Sequence, residues 1–452
     1  MCSLFLPLEA NSKPNIILIM ADDHGYECIG ANGSEDYKTP VLDSLAASGA
    51  RFTNCFANPL CTPSRVKIMT GQYNVRNYRS FGVLDREQKT FAHTMKENGY
   101  RTAVAGKWQL GREPDSAQHF GFEKSCLWNH VRKRTKGETK HDSRFPNPHF
   151  EINGKPIDYN NGEYGPDICT DFITDFIEKH QNEPFLAYYP MLLTHCPFVP
   201  SIDHEDYDPS NQGSETYKGD AKYFQSMVEY VDTCIGKIVK KLEDLNLRDN
   251  TIIIFTGDNG TDQPVKTNWN GIQVSGGKGS MKDAGTRVPL IINSPKWVNK
   301  GIVSDELVEL SDIFPTLCDY SKASKESQPL MDGVSLYPSL TGKDGRYKPH
   351  IFIWYGTQVL ARSKNYMMIR NKYDGDPVFY DASKPFERVQ ISTLTEKYQA
   401  PYEQLLKVIE DKVALRPADY KVKDLKNLAR KAKKIADRKA LKESQKKKKA
   451  GG

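Results

Sequence analysis

Within one helical turn, the run Cys61-Thr62-Pro63-Ser64-Arg65 places a thiol, two hydroxyls and a guanidinium. Pro63 suits the first turn of a helix, where its missing N–H costs nothing, and Ile68 and Met69 further along give that helix a buried side. A side chain at the front of such a helix faces unpaired backbone N–H groups and the positive end of the helix dipole, which favours an anion. Arg65 adds a fork of donors shaped for an oxyanion. By itself, a lone cysteine at a helix start reads first as a packing residue.

Two further pairs carry oxygen. Asp22-Asp23 are adjacent carboxylates that repel one another, and a hard divalent cation is the usual remedy; by itself the pair also reads as a polar turn. Asp258-Asn259 offers a carboxylate and an amide oxygen on consecutive residues, a set that suits calcium. Lys107, Lys278 and His195 each follow an apolar or glycine-rich run. Taken singly, they read as a snorkelling lysine, a glycine-rich loop and a structural histidine.

The elements needed to hold these groups are legible around them. Asn15 to Met20 and Thr251 to Phe255 are unbroken apolar runs, the pattern of parallel strands buried on both faces, and each ends at one of the oxygen pairs. Open α/β sheets place their ligands at the carboxyl ends of such strands. Arg101 to Ala105 and Pro184 to Met191 read as further strands leading to Lys107 and His195, and Arg51 to Phe56 and Val288 to Ile292 as two more. Helices are expected from Pro40 to Gly49, Thr90 to Asn98, Asp167 to His180, Tyr217 to Leu245, Ser311 to Tyr320 and Pro401 to Leu415. On the Tyr217 to Leu245 helix, the stripe Met227, Val231, Ile235, Ile238, Leu242 is core. Cys126 to Phe150 lacks periodicity and reads as an inserted surface loop, either recognising substrate or simply solvated. After Lys348, short strands at Ile351–Trp354, Val359–Arg362, Tyr366–Ile369 and Val378–Tyr380 suggest an antiparallel meander.

Cys-x-Pro-Ser-Arg continued to Thr70-Gly71-Gln72 resembles the signature of the formylglycine-dependent, arylsulfatase-like sulfatases of the alkaline phosphatase superfamily. The segments at Asp22-Asp23, Gly106-Lys107-Trp108, Asp258-Asn259 and Gly277-Lys278 through Arg287-Val288-Pro289 agree with it, over roughly Pro14 to Asp381. The resemblance implies an α/β fold in which a large mixed, mostly parallel sheet is sandwiched by helices, with a smaller C-terminal antiparallel sheet. It implies hydrolysis of sulfate monoesters through a formylglycine made from Cys61 by a maturation enzyme. One Ca2+ would be held by Asp22, Asp23, Asp258, Asn259 and residue 61, with Arg65, Lys107 and Lys278 around the sulfate and His195 near the leaving oxygen. The chain departs from the family at Gln109, where histidine is usual; a carboxamide exchanges hydrogen bonds but is no base at neutral pH. Asp283-Ala284-Gly285 stands where Glu-Gly-Gly is usual. A sulfated polysaccharide or oligosaccharide is the preferred substrate class, and Trp128, His130, Arg132, Trp269 and Trp354 are candidates to line its subsite. The alternatives are a phosphonate monoester or phosphodiester hydrolase of the same superfamily, or a non-catalytic binding protein.

Composition bounds these readings. The chain has 452 residues, 38% of them hydrophobic and 27% charged, and no apolar run long enough to span a bilayer. Residues 421–452 hold 14 Lys or Arg against 3 Asp or Glu, so the formal +6 of the whole chain leaves residues 1–420 at −5. The basicity therefore belongs to a Lys-rich tail, and nothing in the body argues for nucleic acid. Nine cysteines without Cys-x-x-Cys spacing make neither a zinc framework nor a small disulfide scaffold. Met1 to Ala10 reads as the remnant of an export signal, implying a periplasmic or secreted protein, or as an unstructured terminus. The expected organisation is an N-terminal segment 1–13, a catalytic α/β unit 14–347, an antiparallel-sheet unit 348–420 and the tail 421–452.

Overall fold

In the computed structural model, which describes residues 13–129, 143–211, 214, 216–345, 347–371, 375–421 and 424, the apolar run after Pro14 is a central strand. The strands, in chain order, are β1 Asn15–Ala21, β2 Ala50–Phe56, β3 Arg101–Gly106, β4 Lys124–Trp128, β5 His149–Ile152, β6 Lys155–Asp158, β7 Phe185–Pro190, β8 Thr251–Gly257, β9 Lys266–Trp269, β10 Ile272–Ser275, β11 Leu290–Asn293 and β12 Ile302–Glu309. They are followed by β13 Ile351–Tyr355, β14 Gln358–Arg362, β15 Tyr366–Arg370, β16 Val378–Asp381 and β17 Val389–Gln390. Ten form one sheet in the order β12-β2-β11-β8-β1-β7-β3-β4-β5-β6. Within it, only β11 and β5 run against the other strands. β13 to β17 form a separate antiparallel sheet, and β9 and β10 a hairpin.

Every residue of β1 and β8 is buried. Side chains alternate faces along a strand, so Ile16, Leu18, Met20, Ile252 and Ile254 enter one apolar cluster while Ile17, Ile19, Ile253 and Phe255 enter the other. Each such side chain contributes about 1.5–3 kcal/mol by leaving water. The helices Pro40–Ser48, Gly165–Lys179 and Phe224–Asp244 cover the second face, the last through Met227, Val231, Ile235, Ile238 and Leu242. Cys61–Thr70, Phe91–Glu97 and Ile313–Ser321 cover the first. The first cluster also takes in Phe352, Trp354, Val359 and Met368 of the small sheet and Leu405 and Ile409 of the helix Glu396–Val413, so the two sheets share one core.

Beyond β6, β9, β10 and β17, which were not anticipated, the sequence reading fails in four places, each for a local reason. The segment 126–150 is not loop at its ends: Cys126 to Trp128 finish β4 and His149 opens β5, two strands too short to show a period. Strand β12 was not anticipated, because a register shift between Ser304 and Leu307 breaks its alternation and the edge leaves Val303 exposed. The long helix begins at Phe224 rather than Tyr217, since Asp220 caps a short 3-10 turn ahead of it. The last helix begins at Glu396, with Pro401 inside it. There a proline removes one backbone bond, so it read as a start.

Residues 1–12 and nearly all of 421–452 lie outside the described residues. Asp424 is described, and it holds the buried Arg416 through two bonds, from Nε at 3.0 Å and Nη2 at 3.1 Å. Arg416 in turn lies over the Trp354 ring at 4.3 Å and donates to the carbonyls of Val75 and Tyr78. A boundary at Tyr420 therefore cuts a part-buried ion pair and leaves the buried Arg416 guanidinium without its carboxylate. A chain ended after Tyr420 should melt below one ended after Asp424, in a calorimetric or fluorescence scan of both.

Candidate active site

The side chains singled out by type gather at the carboxyl edge of the large sheet. Asp22 and Asp23 follow β1, Asp258 and Asn259 follow β8, Lys107 follows β3, and His195 lies on the loop after β7. β1 lies between β7 and β8, and the chain leaves it first toward β2 on one side and then toward β3 on the other. That is the switch point where such sheets hold ligands. Gly106 makes the exit from β3 possible: its φ is +123°, and a Cβ there would stand 2.0 Å from the Pro190 carbonyl oxygen.

The helix Cys61–Thr70 starts at Cys61 itself, and all ten of its residues are buried, not one side alone. It ends at Gly71, left-handed at φ +66°, whose N–H donates to the Lys67 carbonyl at 2.9 Å. Ser64 accepts from the Asn58 N–H at 2.9 Å and donates back to the Asn58 carbonyl, closing the turn before the helix. Asn58 then donates to the Trp354 carbonyl at 2.7 Å. Lys67 donates to the Phe352 carbonyl at 3.1 Å and stands 3.7 Å from Glu309, which also accepts from the Phe352 N–H and faces Lys348. These supports were invisible in the sequence; only Ser64, inside the signature, carried a signal.

Arg65 joins the pieces. Its Nη2 bonds Asp258 Oδ2 at 2.9 Å and lies 3.7 Å from Asp22 Oδ1, while Nη1 donates to the Lys107 carbonyl at 2.8 Å. Lys107 Nζ donates to Asp22 at 2.6 Å, and Lys278 Nζ pairs with Asp23 Oδ2. The Asp23 N–H donates to Asp258 Oδ1 at 3.0 Å. Asp23 and Gln109 both take left-handed backbone, φ +56° and +59°, strain of the kind that clusters at functional sites.

Burial and neighbours divide the titrating groups. Burial raises the Asp258 carboxyl, with Asp22 adding to it against Arg65 and Lys107, and pushes it up to about 7. Burial alone would raise Asp22 too, but Lys107, His195 and Arg65 reverse that and hold it below the usual carboxylate range. Burial likewise raises the Cys61 thiol, opposed by Lys107 and supported by Asp258, Asp22 and Asp23, so the sulfur is held protonated rather than as a thiolate. Burial, then Lys107, pushes His195 well below its usual value. Its Nδ1–H is directed to the Cys196 carbonyl at 2.5 Å, and Nε2 faces Asp23 Oδ2 at 3.6 Å. In this charge state Nε2 is an acceptor, and donation there requires a second proton on the ring. Lys278 is different: burial lowers it, but Asp23 and Asp22 more than compensate and its ammonium is raised.

One oxygen or sulfur from each of Asp22, Cys61 and Asp258 lies within 4.8 Å of the others. Asp22 Oδ1 and Asn259 Oδ1 are buried without a hydrogen-bond partner. The Asn259 amide is fixed, because its Nδ2 donates to Asp23 at 2.8 Å and to the Gly260 carbonyl at 3.0 Å. Buried acceptors left unmet in this way fit a hard cation with oxygen ligands.

The subsite candidates separate. Trp128 lines a cavity of about 760 Å³ together with Lys107 and Gln109. Arg144 lies over the Trp128 ring at 4.4 Å, a contact no sequence pattern announced. His130 and Arg132 lie outside the described residues. Trp269 and Trp354 are corrections. Trp269 packs edge-on against Phe386 with its N–H donated to the Asn32 carbonyl, and Trp354 is buried under Arg416. Apolar burial claimed both rings.

A mixed sheet with its buried charges at the carboxyl edge of β1 and β8 and a cysteine-headed helix beside them defines a hydrolase scaffold of the alkaline-phosphatase-like class. The chain belongs to the Sulfatase family, whose sequence profile matches residues 14–323. It is similar to human N-acetylgalactosamine-6-sulfatase, 31% identical with 78% of this chain and 70% of that one covered. It is also similar to bovine arylsulfatase A, 30% identical with 78% and 73% covered. Against mouse arylsulfatase J it is 28% identical, 78% of this chain being covered, and spans 60% of that protein's length. Among solved structures, Ps i-CgsB in complex with k-i-k-neocarrahexaose superposes with a TM-score of 0.72 at 25% identity, covering 90% of this chain and 94% of that one. The phosphonate monoester hydrolase of Agrobacterium radiobacter shares the fold at a TM-score of 0.67 and 21% identity, with 89% and 96% covered.

Because Trp354 is core and not subsite, Trp354→Ala should act on stability. The expected loss is about 3–5 kcal/mol, seen as a lowered melting temperature, with KM unchanged in the protein that folds.

Proposed function

We propose that this chain hydrolyses sulfate monoesters on a carbohydrate, with residue 61 acting as formylglycine rather than cysteine and with Ca2+ held by Asp22, Asp23, Asp258, Asn259 and residue 61. The observation that carries the reading is the convergence of Arg65, Lys107 and Lys278 on three buried carboxylates beside Cys61. Three cations balance three carboxylates, so a divalent ion would leave the site with the positive surplus an anionic ester requires. The thiol supports the same reading from the other side, because burial keeps it protonated where a nucleophile is needed. When present, the formylglycine hydrate would supply a hydroxyl nucleophile and the calcium ion would polarise it.

The remaining work falls to the protein's own groups. Arg65, Lys107 and Lys278 take the nonbridging sulfate oxygens; at an effective dielectric near 20, a unit cation about 4 Å away contributes on the order of 4 kcal/mol. The helix dipole adds roughly 0.3–2 kcal/mol, so the cations bind and the helix mainly orients. Asp258, with an oxygen within 4.8 Å of the Cys61 sulfur, is placed to take a proton at residue 61. Charge builds on the bridging oxygen as the S–O bond breaks, and Lys278 holds the proton to meet it, with His195 beside the same carboxylate.

The direct test pairs peptide mass spectrometry across Cys61, in protein from its native host, with sulfate release from sulfated sugars. An aldehyde at residue 61 and sulfate release are expected, both lost in Cys61→Ala. An unmodified thiol without any hydrolysis would point instead to a binding protein, and faster turnover of matched phosphonate esters to the rival hydrolase. For the metal, dialysis against EGTA should lower both activity and melting temperature, and added Ca2+ should restore both. At a hundredfold excess over Kd a ligand stabilises by about 2.7 kcal/mol. Asn259→Leu, which removes the unmet amide oxygen, should weaken that recovery; an identical calcium response in the variant would remove Asn259 from the ligand set.

A further inference from the structure

The cavity beside Gln109 is not needed to hold a sulfate group, and its lining describes what else enters. Its volume, about 760 Å³, is in the upper part of the range of roughly 300–1,000 Å³ for small-molecule sites. Lys107 and Gln109 form the end nearest the buried carboxylates, and the turn at Phe81–Val83, the loop carrying Arg112 and Glu113, and Trp128 with Asn129 form the rest. Phe81 and Val83 are 51% and 39% exposed, large apolar side chains presented to solvent at one rim.

The polar groups in this lining are fixed rather than adaptable. The Gly82 N–H donates to Thr62 Oγ1 at 3.1 Å, and Thr62 Oγ1 donates to Gln109 Oε1 at 3.1 Å. That relay uses the oxygen of the Gln109 amide, so the group offered to a ligand is its NH2, a donor. Trp128 is held by its own N–H, donated to the Ser143 carbonyl at 3.1 Å, and by Arg144 over its ring. Glu113 Oε2 accepts from the Arg112 N–H at 3.0 Å. The Arg112 guanidinium is exposed and forms no ion pair among the described residues.

We propose that this cavity is the subsite for the alcohol part of the ester and that it takes a saccharide carrying a second anionic group, sulfate or carboxylate, near the scissile sulfate. The sugar ring lies against Trp128, the Gln109 amide donates to a ring oxygen or hydroxyl, and Arg112 meets the second anion. This rests on the sulfatase reading above and deepens it. A plain aryl or alkyl group would satisfy Trp128 and Phe81 but would cover the Gln109 NH2 and leave it unpaired, and an unmet buried donor opposes binding. A neutral sugar would satisfy the amide and gain nothing from the guanidinium.

The test compares kcat/KM on four substrates: a disulfated disaccharide, a monosulfated disaccharide with a uronic carboxylate, a monosulfated neutral disaccharide and 4-nitrophenyl sulfate. The native chain should prefer one or both dianionic sugars over the neutral one by about 10–100-fold, the range for a hydrogen bond to a charged group, and the two dianionic arms separate a second sulfate from a carboxylate. Arg112→Ala should erase that preference, chiefly through KM. Trp128→Ala should lower all three sugars relative to 4-nitrophenyl sulfate. Equal losses on all four substrates, or a preference that survives Arg112→Ala, would overturn the assignment. Calorimetric binding of the same sugars separates this proposal from the hydrolase reading. If no ester is cleaved, sugar binding with an Arg112-dependent anion preference still supports the subsite, and absence of sugar binding overturns it.

Discussion

A buried guanidinium is the contact on which the site depends. Arg65 is fully buried, and its bonds run to Asp258, toward Asp22 and to the Lys107 carbonyl, so one side chain from the cysteine-headed helix holds the ends of β8, β1 and β3 in register. Taking such a charge out of water is costly and is tolerated only where carboxylates and carbonyls meet its donors. The same constraint explains the pairing of Lys107 with Asp22 and Lys278 with Asp23. None of these six charges is affordable alone in that interior, and together they form a site able to receive an anion.

Much of this arrangement was legible in the sequence because strong periodicity and short motifs coincide. β1 and β8 are unbroken apolar runs that stop at oxygen-bearing pairs, and their burial on both faces leaves little else for them to be. The helix at Cys61 was legible from Pro63 and the apolar residues after it, though its burial on every side was not, since Lys67 is charged and finds its partners far along the chain. The reading was poorest where tertiary contact overrides local pattern. β12 lost its alternation to an irregular register, and Pro401 sits within a helix that continues past it. Trp269 and Trp354 show the same limit for the site: aromatic side chains suit sugar and core alike, and only the fold separates them.

The Gln109 position shows how a departure from a family pattern gains meaning from geometry. As sequence, a carboxamide in place of a base signified only something missing. In the fold its oxygen is occupied by Thr62, which leaves a directed donor at the inner end of a cavity. Asn259 is built the same way with the opposite sense: its NH2 is occupied by Asp23 and Gly260, and its oxygen is left unmet. Two amides of the site are thus fixed in opposite orientations, one presenting its NH2 and the other its oxygen.

The supports of the Cys61 helix also impose a timetable. Lys67 reaches the Phe352 carbonyl across 285 residues of chain, and Asn58 reaches the Trp354 carbonyl across 296. At a synthesis rate of about 5–20 residues per second, roughly 15–60 s pass between the emergence of the helix and that of the strand that closes over it. Throughout that interval the helix lacks two of the anchors that fix it in the finished fold, one from Lys67 within it and one from Asn58 just ahead of it.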